Sequence, residues 1–519
     1  MMNMGGRIVL TFLLGIFPII HGSRILVISQ IPTHSHHQTY RPIARELSKR
    51  GHEVVFVTPM PIKDPKLTNL TEIDVSKEIF EALGRFGGLD FMSIETPVYT
   101  KIQTLYPMLE AFFEATLSNA EFKKIYTDER QKFDLILCQI YTNPIMYAMS
   151  AKLKAPIIGV SSMGVFAGNH LAIGNPNPPS IYSEMYLPYN GELTFFERIK
   201  STVYFLWHRL YVHFIAMPHS DQIARKYLGQ DIPYLADIEK NISALMITVN
   251  PIVYANRPMV PTVVPLSFLH VDKPKPLPKD LKDEIESAKN GVVYFSLGSI
   301  VKSAGINERV RQVIMEALAE LPYKVLWKFE NDTMPGKPKN VVTRKWMPQQ
   351  DILAHPNVKV FMTQFGLQSL EEAVDREMPL VGIPFISDQG MNGKRLVEWG
   401  VAKQIDYRNT TKEEIVKAVM EVAENPIYRE NMRKVKKIMQ DEPMTGTERM
   451  IWWSEYVIRH KGTKHLRSPT VDIEWYKYLL LDVFAVIVGI PVLVLLIIVK
   501  LLLNTLKKTP IKKTKTKKN

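Results

Sequence analysis

The stretch that most limits what this chain can fold into lies between Val358 and Ile383. Val358–Met362 is a short apolar run, Thr363–Gly366 a tight turn, Leu367–Arg376 has helical periodicity, and Pro379–Ile383 is a second apolar run. Two apolar strands joined by a helix form a βαβ unit, which requires a parallel sheet covered by helices. The same grammar opens the chain: a strand at Arg24–Ser29, a helix at Thr39–Arg50 closed by Gly51, and a strand at Glu53–Thr58. It returns at Gly291–Ser296, which runs into Leu297-Gly298-Ser299, a helix over Asn307–Leu321 and a strand over Lys324–Phe329. At 519 residues the chain is too long for one core. The expected fold class is α/β, with two Rossmann-like doubly wound domains separated at the proline-rich Asp272–Lys279.

A turn between a strand and a helix presents backbone N–H groups and a helix N-terminus, a setting suited to a diphosphate. Thr363 and Ser369 add hydroxyl donors, Trp346 can stack on a flat base, Gln349 and Glu372 can bond base or ribose edges, and Asp388-Gln389 can hold sugar hydroxyls. Singly, each has an ordinary structural use; their joint spacing is what carries information. The run Trp346-Met-Pro348-Gln349, His355-Pro356, Thr363-Gln364-Phe365-Gly366, Ser369-Leu-Glu-Glu372, Pro379, Pro384 and Asp388-Gln389-Gly-Met-Asn392 resembles the signature of the UDP-glycosyltransferases that use lipophilic acceptors, most of all arthropod members. The resemblance implies a GT-B architecture and a UDP-sugar site made of Ser299, Trp346, Gln349, Thr363, Gln364, Gly366, Gln368, Ser369, Glu372, Asp388 and Gln389. Two positions depart from the pattern: Gln364 stands where a diphosphate-binding His is usual, and the bulky Phe365 where a small residue is usual, so Phe365 is expected to narrow the pocket.

The resemblance also implies a catalytic pair. The loop Gln30–Gln38 holds His34, His36 and His37, and counting back from Arg50-Gly51-His52 puts His36 in the position of the catalytic base. A metal site at the three histidines is disfavoured, since no Cys or nearby carboxylate completes a ligand set. The strand Phe133–Cys138 ends at Gln139, where the family has the carboxylate that partners the histidine; here it is an amide. Asn69–Tyr126 reads as helical, with Leu105, Leu109, Phe112 and Phe113 on one apolar face; the resemblance implies that this region helps shape the acceptor pocket, while simple helix packing is the better reading for most of these side chains. The segment Gly174–Ser180 resembles the acceptor-side loop. No Asp-x-Asp metal clamp occurs, so neither a metal nor a cofactor is expected, the UDP-sugar being a co-substrate.

The termini place the chain in a membrane. Arg7 followed by the apolar Ile8–Ile20 reads as a signal peptide. Val483–Val499 carries no charge and, with its leucine-rich flanks, is long enough to span a bilayer. The net charge of +13 does not indicate a nucleic-acid partner, because eight lysines fall in the last twenty residues, beside that span. The final Lys515–Asn519 resembles a dilysine retrieval signal, with attraction of a polybasic tail to anionic lipid as the alternative. Cys138 is the only cysteine, in a buried strand, which excludes internal disulfides and disfavours a catalytic thiol. Sequons occur at Asn69, Asn241, Asn331 and Asn409.

The expected organisation is a signal peptide at 1–22, an acceptor domain at 23–272, a linker at 273–281 and a UDP-sugar domain at 282–445. Cross-back helices follow at 446–478, then a transmembrane helix at 479–503 and a cytosolic tail at 504–519. The expected protein is a single-pass type I glycoprotein of the endoplasmic reticulum, with its globular part lumenal and homo- or hetero-oligomers compatible. The implied activity is inverting transfer of a hexose, with glucose ahead of glucuronic acid and galactose, to a lipophilic hydroxyl, as in detoxification. The alternative, motivated by Gln139, is a UDP-sugar-binding protein with impaired catalysis.

Overall fold

The computed structural model describes residues 22–88, 96–187, 189, 191–254, 256–386 and 388–508. The signal peptide and the dilysine-like tail therefore lie outside the described residues, except for Gly22. The chain divides into one compact unit up to Arg467 and a second from Ser468 onward.

The first unit contains two all-parallel sheets. The first has strands β1 (Arg24–Ile28), β2 (Glu53–Thr58), β3 (Leu70–Asp74), β4 (Leu135–Gln139), β5 (Ile157–Ser161), β6 (Ala244–Ile247) and β7 (Val263–Pro265), in the order β3-β2-β1-β4-β5-β6-β7. The second has β8 (Val292–Ser296), β9 (Lys324–Lys328), β10 (Val341–Arg344), β11 (Val358–Thr363), β12 (Leu380–Gly382) and β13 (Ala402–Gln404), in the order β10-β9-β8-β11-β12-β13. In each, the winding direction reverses once, between β1 and β4 and between β8 and β11. Open α/β sheets hold ligands beyond the carboxyl ends of the strands at that reversal. The register puts Ile28 beside Cys138 and Ser296 beside Thr363, so the segments that follow these strands emerge side by side.

Burial explains the strands. Residues 25–28, 54–58 and 135–139 are buried without interruption, as in a sheet covered on both faces. A single apolar cluster runs from Leu26 and Cys138 of the first sheet to Tyr294 and Phe361 of the second, so the sheets share a core. The helix Gly446–His460 returns to the first sheet: Met450 and Val457 pack with Val27 and Tyr40, and Glu455 meets Arg50 at 2.9 Å.

The structure corrects several expectations. The first helix, α1 (His34–Lys49), begins five residues before Thr39, so the three histidines lie on its first turn rather than in a loop. Its start is set by His37 N–H donating to the Thr33 carbonyl at 3.2 Å. Asn69–Tyr126 is not helical throughout, because it opens with β3, a polar edge strand whose Thr71 and Asp74 face solvent. The short strands β10 and β13 were also not evident from periodicity. In the second unit, Leu481–Thr505 is the one helix among the described residues long and apolar enough to cross a membrane.

Candidate functional site

The two strand reversals face one cavity of about 360 Å³. From the first sheet it is lined by His34, His36, Tyr141 and Ser162, and by Leu105, Met108 and Leu109 of the helix Val98–Ser118; from the second it is lined by Ser299, Lys328, Trp346, Gln349, Gln364 and residues 366–369. Glu372, Asp388 and Gln389 complete the wall. Of the residues expected at the site, Thr363 and Gln139 do not line the cavity. Both stand one layer behind a residue that does.

Gln139, at the end of β4, is buried and bonds in two directions. Its Oε1 accepts from Gln30 N–H at 2.8 Å, Ile31 N–H at 3.0 Å and the Ser29 hydroxyl at 3.1 Å. Its Nε2 lies 2.9 Å from His36 Nδ1. The Ser162 hydroxyl, just past β5, is 2.7 Å from the same nitrogen. Burial lowers His36 to about 4, so the ring is neutral at physiological pH. No carboxylate of the described residues bonds His36. Glu184, four residues past Ser180, bonds His208 at 3.2 Å, and the Gly174–Ser180 segment does not line the cavity.

The other two histidines diverge. His37 is fully buried with Nδ1 3.2 Å from the Thr58 hydroxyl, and His34 sets its ring edge-on to Trp346 with centroids 4.8 Å apart. Among the described residues, no group of three or more His, Cys, Asp or Glu is placed to hold a metal. Burial, ahead of Arg41, lowers His37 to about 3. The unfolded value is about 6.5, so this neutral ring contributes stability above pH 6.5 that is lost as pH falls from there towards 3. We expect a loss of about 1.4 kcal/mol per pH unit below pH 6 from His37, with a like share from His36. A series of melting temperatures between pH 6.5 and 4.5 checks this; His37→Gln should flatten the slope.

On the second sheet the turn after β11 is built around two departures from the family pattern. Thr363, fully buried, donates its hydroxyl to Gln364 Oε1 at 3.0 Å, which turns the Gln364 amide nitrogen towards Gly298 and Gly366. Gly298 has φ +74°, a conformation that favours glycine, and a Cβ there would sit 2.3 Å from that nitrogen and push the Gln364 amide aside. The outcome is an N–H donor set between two glycine turns, the arrangement an oxyanion needs. Phe365 does not narrow the cavity. It takes φ +65° and is fully buried, its ring lying where a Cβ on Gly382 or Gly393 would be, at 1.9 and 2.5 Å. Asn392 Nδ2 donates to the Phe365 carbonyl at 3.0 Å and to Asp388 Oδ2 at 3.0 Å.

Glu372 is a hub. It accepts from Gln349 Nε2 at 2.6 Å and Gln350 Nε2 at 3.2 Å, and from Gln38 Nε2 at 3.4 Å across from the first sheet; His270 Nε2 lies 3.3 Å away. Burial pulls His270 down, but the hydrogen bond and charge of Glu372, with Glu371, outweigh it and the pKa is raised. Gln349 also reaches Ser369 Oγ at 3.0 Å, and Gln368 Nε2 donates to the Ser162 carbonyl at 2.8 Å, tying the turn to the His36 side. Gln389 Oε1 caps Phe385 and Ile386 N–H at 2.8 and 2.9 Å, which leaves its amide nitrogen for the cavity. Trp346 is 57 % exposed, with Lys328 Nζ 5.9 Å from its ring.

Ser162, Lys328, Gln38 and His270 were missed in the sequence. The signal for the first two was present: each stands at or just past the carboxyl end of a strand close to a reversal. Gln38 and His270 carried no such signal. Leu105 and Leu109 line the cavity, with Met108 added, whereas Phe112 and Phe113 are core. The linker is part of the wall, since Lys273 and Lys275 line the cavity and Lys275 N–H is held by Asp351 Oδ1 at 2.7 Å.

Residues 23–517 match the family model described as UDP-glucoronosyl and UDP-glucosyl transferase. UDP-glycosyltransferase UGT5 of Dactylopius coccus is 33% identical, the alignment covering 91% of this chain and 90% of that one. UDP-glucosyltransferase 2 of the same insect is 32% identical, with 89% of each covered. In structure, the chain is similar to TcCGT1 in complex with UDP: TM-score 0.55 and 14% identity, over 85% of this chain and 100% of that one.

Proposed function

We propose, from the premise that this chain belongs to the UDP-glucoronosyl and UDP-glucosyl transferase family, that it moves a hexose from a UDP-sugar to a lipophilic hydroxyl-bearing small molecule, with inversion at the anomeric carbon. The observation that carries this reading is the single cavity in which His36 and the apolar wall of Leu105, Met108 and Leu109 face the donor turns at Ser299 and Gln364–Gly366. Inversion requires the acceptor oxygen to approach opposite the leaving diphosphate, and in this reading the acceptor lies against the first sheet's side of the cavity and the donor against the second's. In this reading Trp346 stacks on uracil and Gln349 and Glu372 hold uracil and ribose. The diphosphate meets Ser299, the Gln364 amide, Gly366 N–H, Ser369 and the N-terminus of Leu367–Asp375; these donors offset the charge that develops on UDP as it leaves. Asp388 and Gln389 hold the sugar, and Gln368 fixes the turn. Glucose is the first choice of sugar, supported by the name of the insect relative.

The helix Leu481–Thr505 supports a membrane anchor in this reading, and the four sequons at Asn69, Asn241, Asn331 and Asn409 are all exposed. Orientation with the first unit in the lumen of the endoplasmic reticulum follows from the basic tail. A role in detoxification is consistent with an apolar acceptor wall.

A second reading is favoured by Gln139, an amide in the family's carboxylate position: a protein that binds the UDP-sugar and turns over little or not at all. The two separate by supplying UDP-glucose, UDP-galactose and UDP-glucuronic acid to the full-length protein with a panel of phenols and alcohols. Transfer predicts UDP release that requires an acceptor. UDP protection against thermal unfolding with no acceptor-dependent release would leave the binding reading standing alone.

A further inference from the structure

The Gln139 amide has one orientation open to it. Its oxygen is held by two backbone N–H groups, at 2.8 and 3.0 Å, and by the Ser29 hydroxyl. A backbone N–H cannot accept, so flipping the amide would set its NH₂ against two donors. The oxygen therefore stays on the backbone, and Nε2–H faces His36 Nδ1 at 2.9 Å. An amide nitrogen donates only, which makes Nδ1 the unprotonated nitrogen of the ring. The Ser162 hydroxyl at 2.7 Å is satisfied in the same way, as a second donor. A neutral imidazole has one proton, so it sits on Nε2, the nitrogen with no bonding partner among the described residues.

The other groups around the ring do not reverse this. Tyr141 stands edge-on with centroids 6.1 Å apart, and His37 follows on the same helix with its own Nδ1 committed to Thr58. Asp388, also in the cavity wall, acts on Tyr141; burial is the one cause resolved for His36. A carboxylate at position 139 would do the opposite of the amide, accepting from Nδ1–H and leaving the Nε2 lone pair free to take a proton. With Gln139 the nitrogen that should act as base is already protonated. Loss of the correct tautomer in a comparable triad costs about 10⁴-fold in kcat.

We propose that the acceptor reacts as an oxyanion already formed, an acidic phenol bound as its phenolate, with His36 Nε2–H donating to that oxygen and Gln139 as the positioning residue that sets the tautomer. This rests on the transferase reading. The phenolic proton goes to solvent before binding. A phenolate lone pair then forms the bond to the anomeric carbon, the bond from that carbon to the β-phosphate oxygen breaks with its electron pair, and UDP departs with the negative charge. No base is needed in the step. An aliphatic alcohol must lose its proton in the transition state, and the His36 nitrogen that would take it is already protonated.

The test uses the full-length protein in its membrane with the three UDP-sugars, and 4-nitrophenol, 4-cyanophenol, phenol and cyclohexanol as acceptors, for the wild type, Gln139→Glu and Gln139→Asp. The wild type should lose at least tenfold in kcat/KM from 4-nitrophenol to phenol at pH 7 and leave cyclohexanol untouched, and its rise with pH should follow the ionisation of each phenol. Gln139→Glu, nearly isosteric, should gain about 100-fold on phenol, begin to use cyclohexanol, and show one pH profile common to all acceptors. Wild-type use of cyclohexanol within tenfold of 4-nitrophenol overturns the proposal, and this holds even if neither variant folds. A folded Gln139→Glu with an unchanged acceptor profile also overturns it. No turnover of any acceptor by any of the proteins, with UDP still protecting against heat, overturns the transferase reading and the proposal with it.

Discussion

Phe365→Gly should lower the stability of the first unit by about 3 kcal/mol while leaving UDP binding within a few-fold of wild type. The substitution removes a fully buried ring, a change that costs about 3–5 kcal/mol for Phe→Ala in a core. It also relieves a non-glycine residue at φ +65°, which returns about 1 kcal/mol. UDP binding should persist because the ring points into the core while Gln364 and Gly366 face the cavity. Denaturant unfolding followed by tryptophan fluorescence, with and without UDP, measures both. The reciprocal change Gly382→Ala sets a Cβ 1.9 Å from the Phe365 ring and should be at least as damaging. The pair Gly382→Ala with Phe365→Gly should then be less than additive, with a coupling of about 1–3 kcal/mol. Strict additivity would mean that the ring and the two glycines are not a matched set.

Glu372→Ala should reduce UDP affinity by roughly 100-fold, equivalent to about 2.7 kcal/mol, and lower stability by about 3 kcal/mol. Glu372 is 2 % exposed and accepts from three glutamines, with His270 3.3 Å away. Removing it leaves buried donors unpaired, each at a cost of about 1–3 kcal/mol, and strips His270 of the partner that favours its charged form. Gln349 loses the bond at 2.6 Å that orients it, so in the proposed donor site the base contact should loosen along with the ribose contact. Glu372→Gln retains an acceptor oxygen and should lose less of both. Calorimetric titration with UDP together with thermal unfolding of the unliganded protein reads the two effects separately. UDP affinity within threefold of wild type in Glu372→Ala would remove Glu372 from the ribose site and leave it a purely structural hub between the sheets.

Much of this molecule was legible along the chain. The βαβ units were visible because strands buried on both faces are unbroken apolar runs, and that burial is written locally. β2 has the bounds the pattern predicts. What failed were the edge strands β3, β10 and β13, whose mixed polarity hides them, and the start of α1, where His34-Ser-His-His is neither apolar nor periodic enough to read as helix. The residues proposed for the donor were singled out by a spacing that no structural need alone explains, and all of them except Thr363 line the cavity. The effect of Phe365 was misjudged for a physical reason: its bulk was apparent, but the direction of its side chain depends on a left-handed φ and on glycines 17 and 28 positions away.

By itself, then, the sequence determined the α/β class, the two sheets, the turn after β11 and the identity of the residue at position 139. Only the tertiary structure decided what that residue does. Position 139 bonds the Ser29 hydroxyl and the backbone N–H groups of Gln30 and Ile31, which arrive from more than a hundred residues earlier in the chain, and those donors choose which end of the amide turns to His36. A hydrogen-bond direction depends on what lies on both sides of a group, and for Gln139 those two sides meet only when β1 and β4 lie next to each other in the folded sheet.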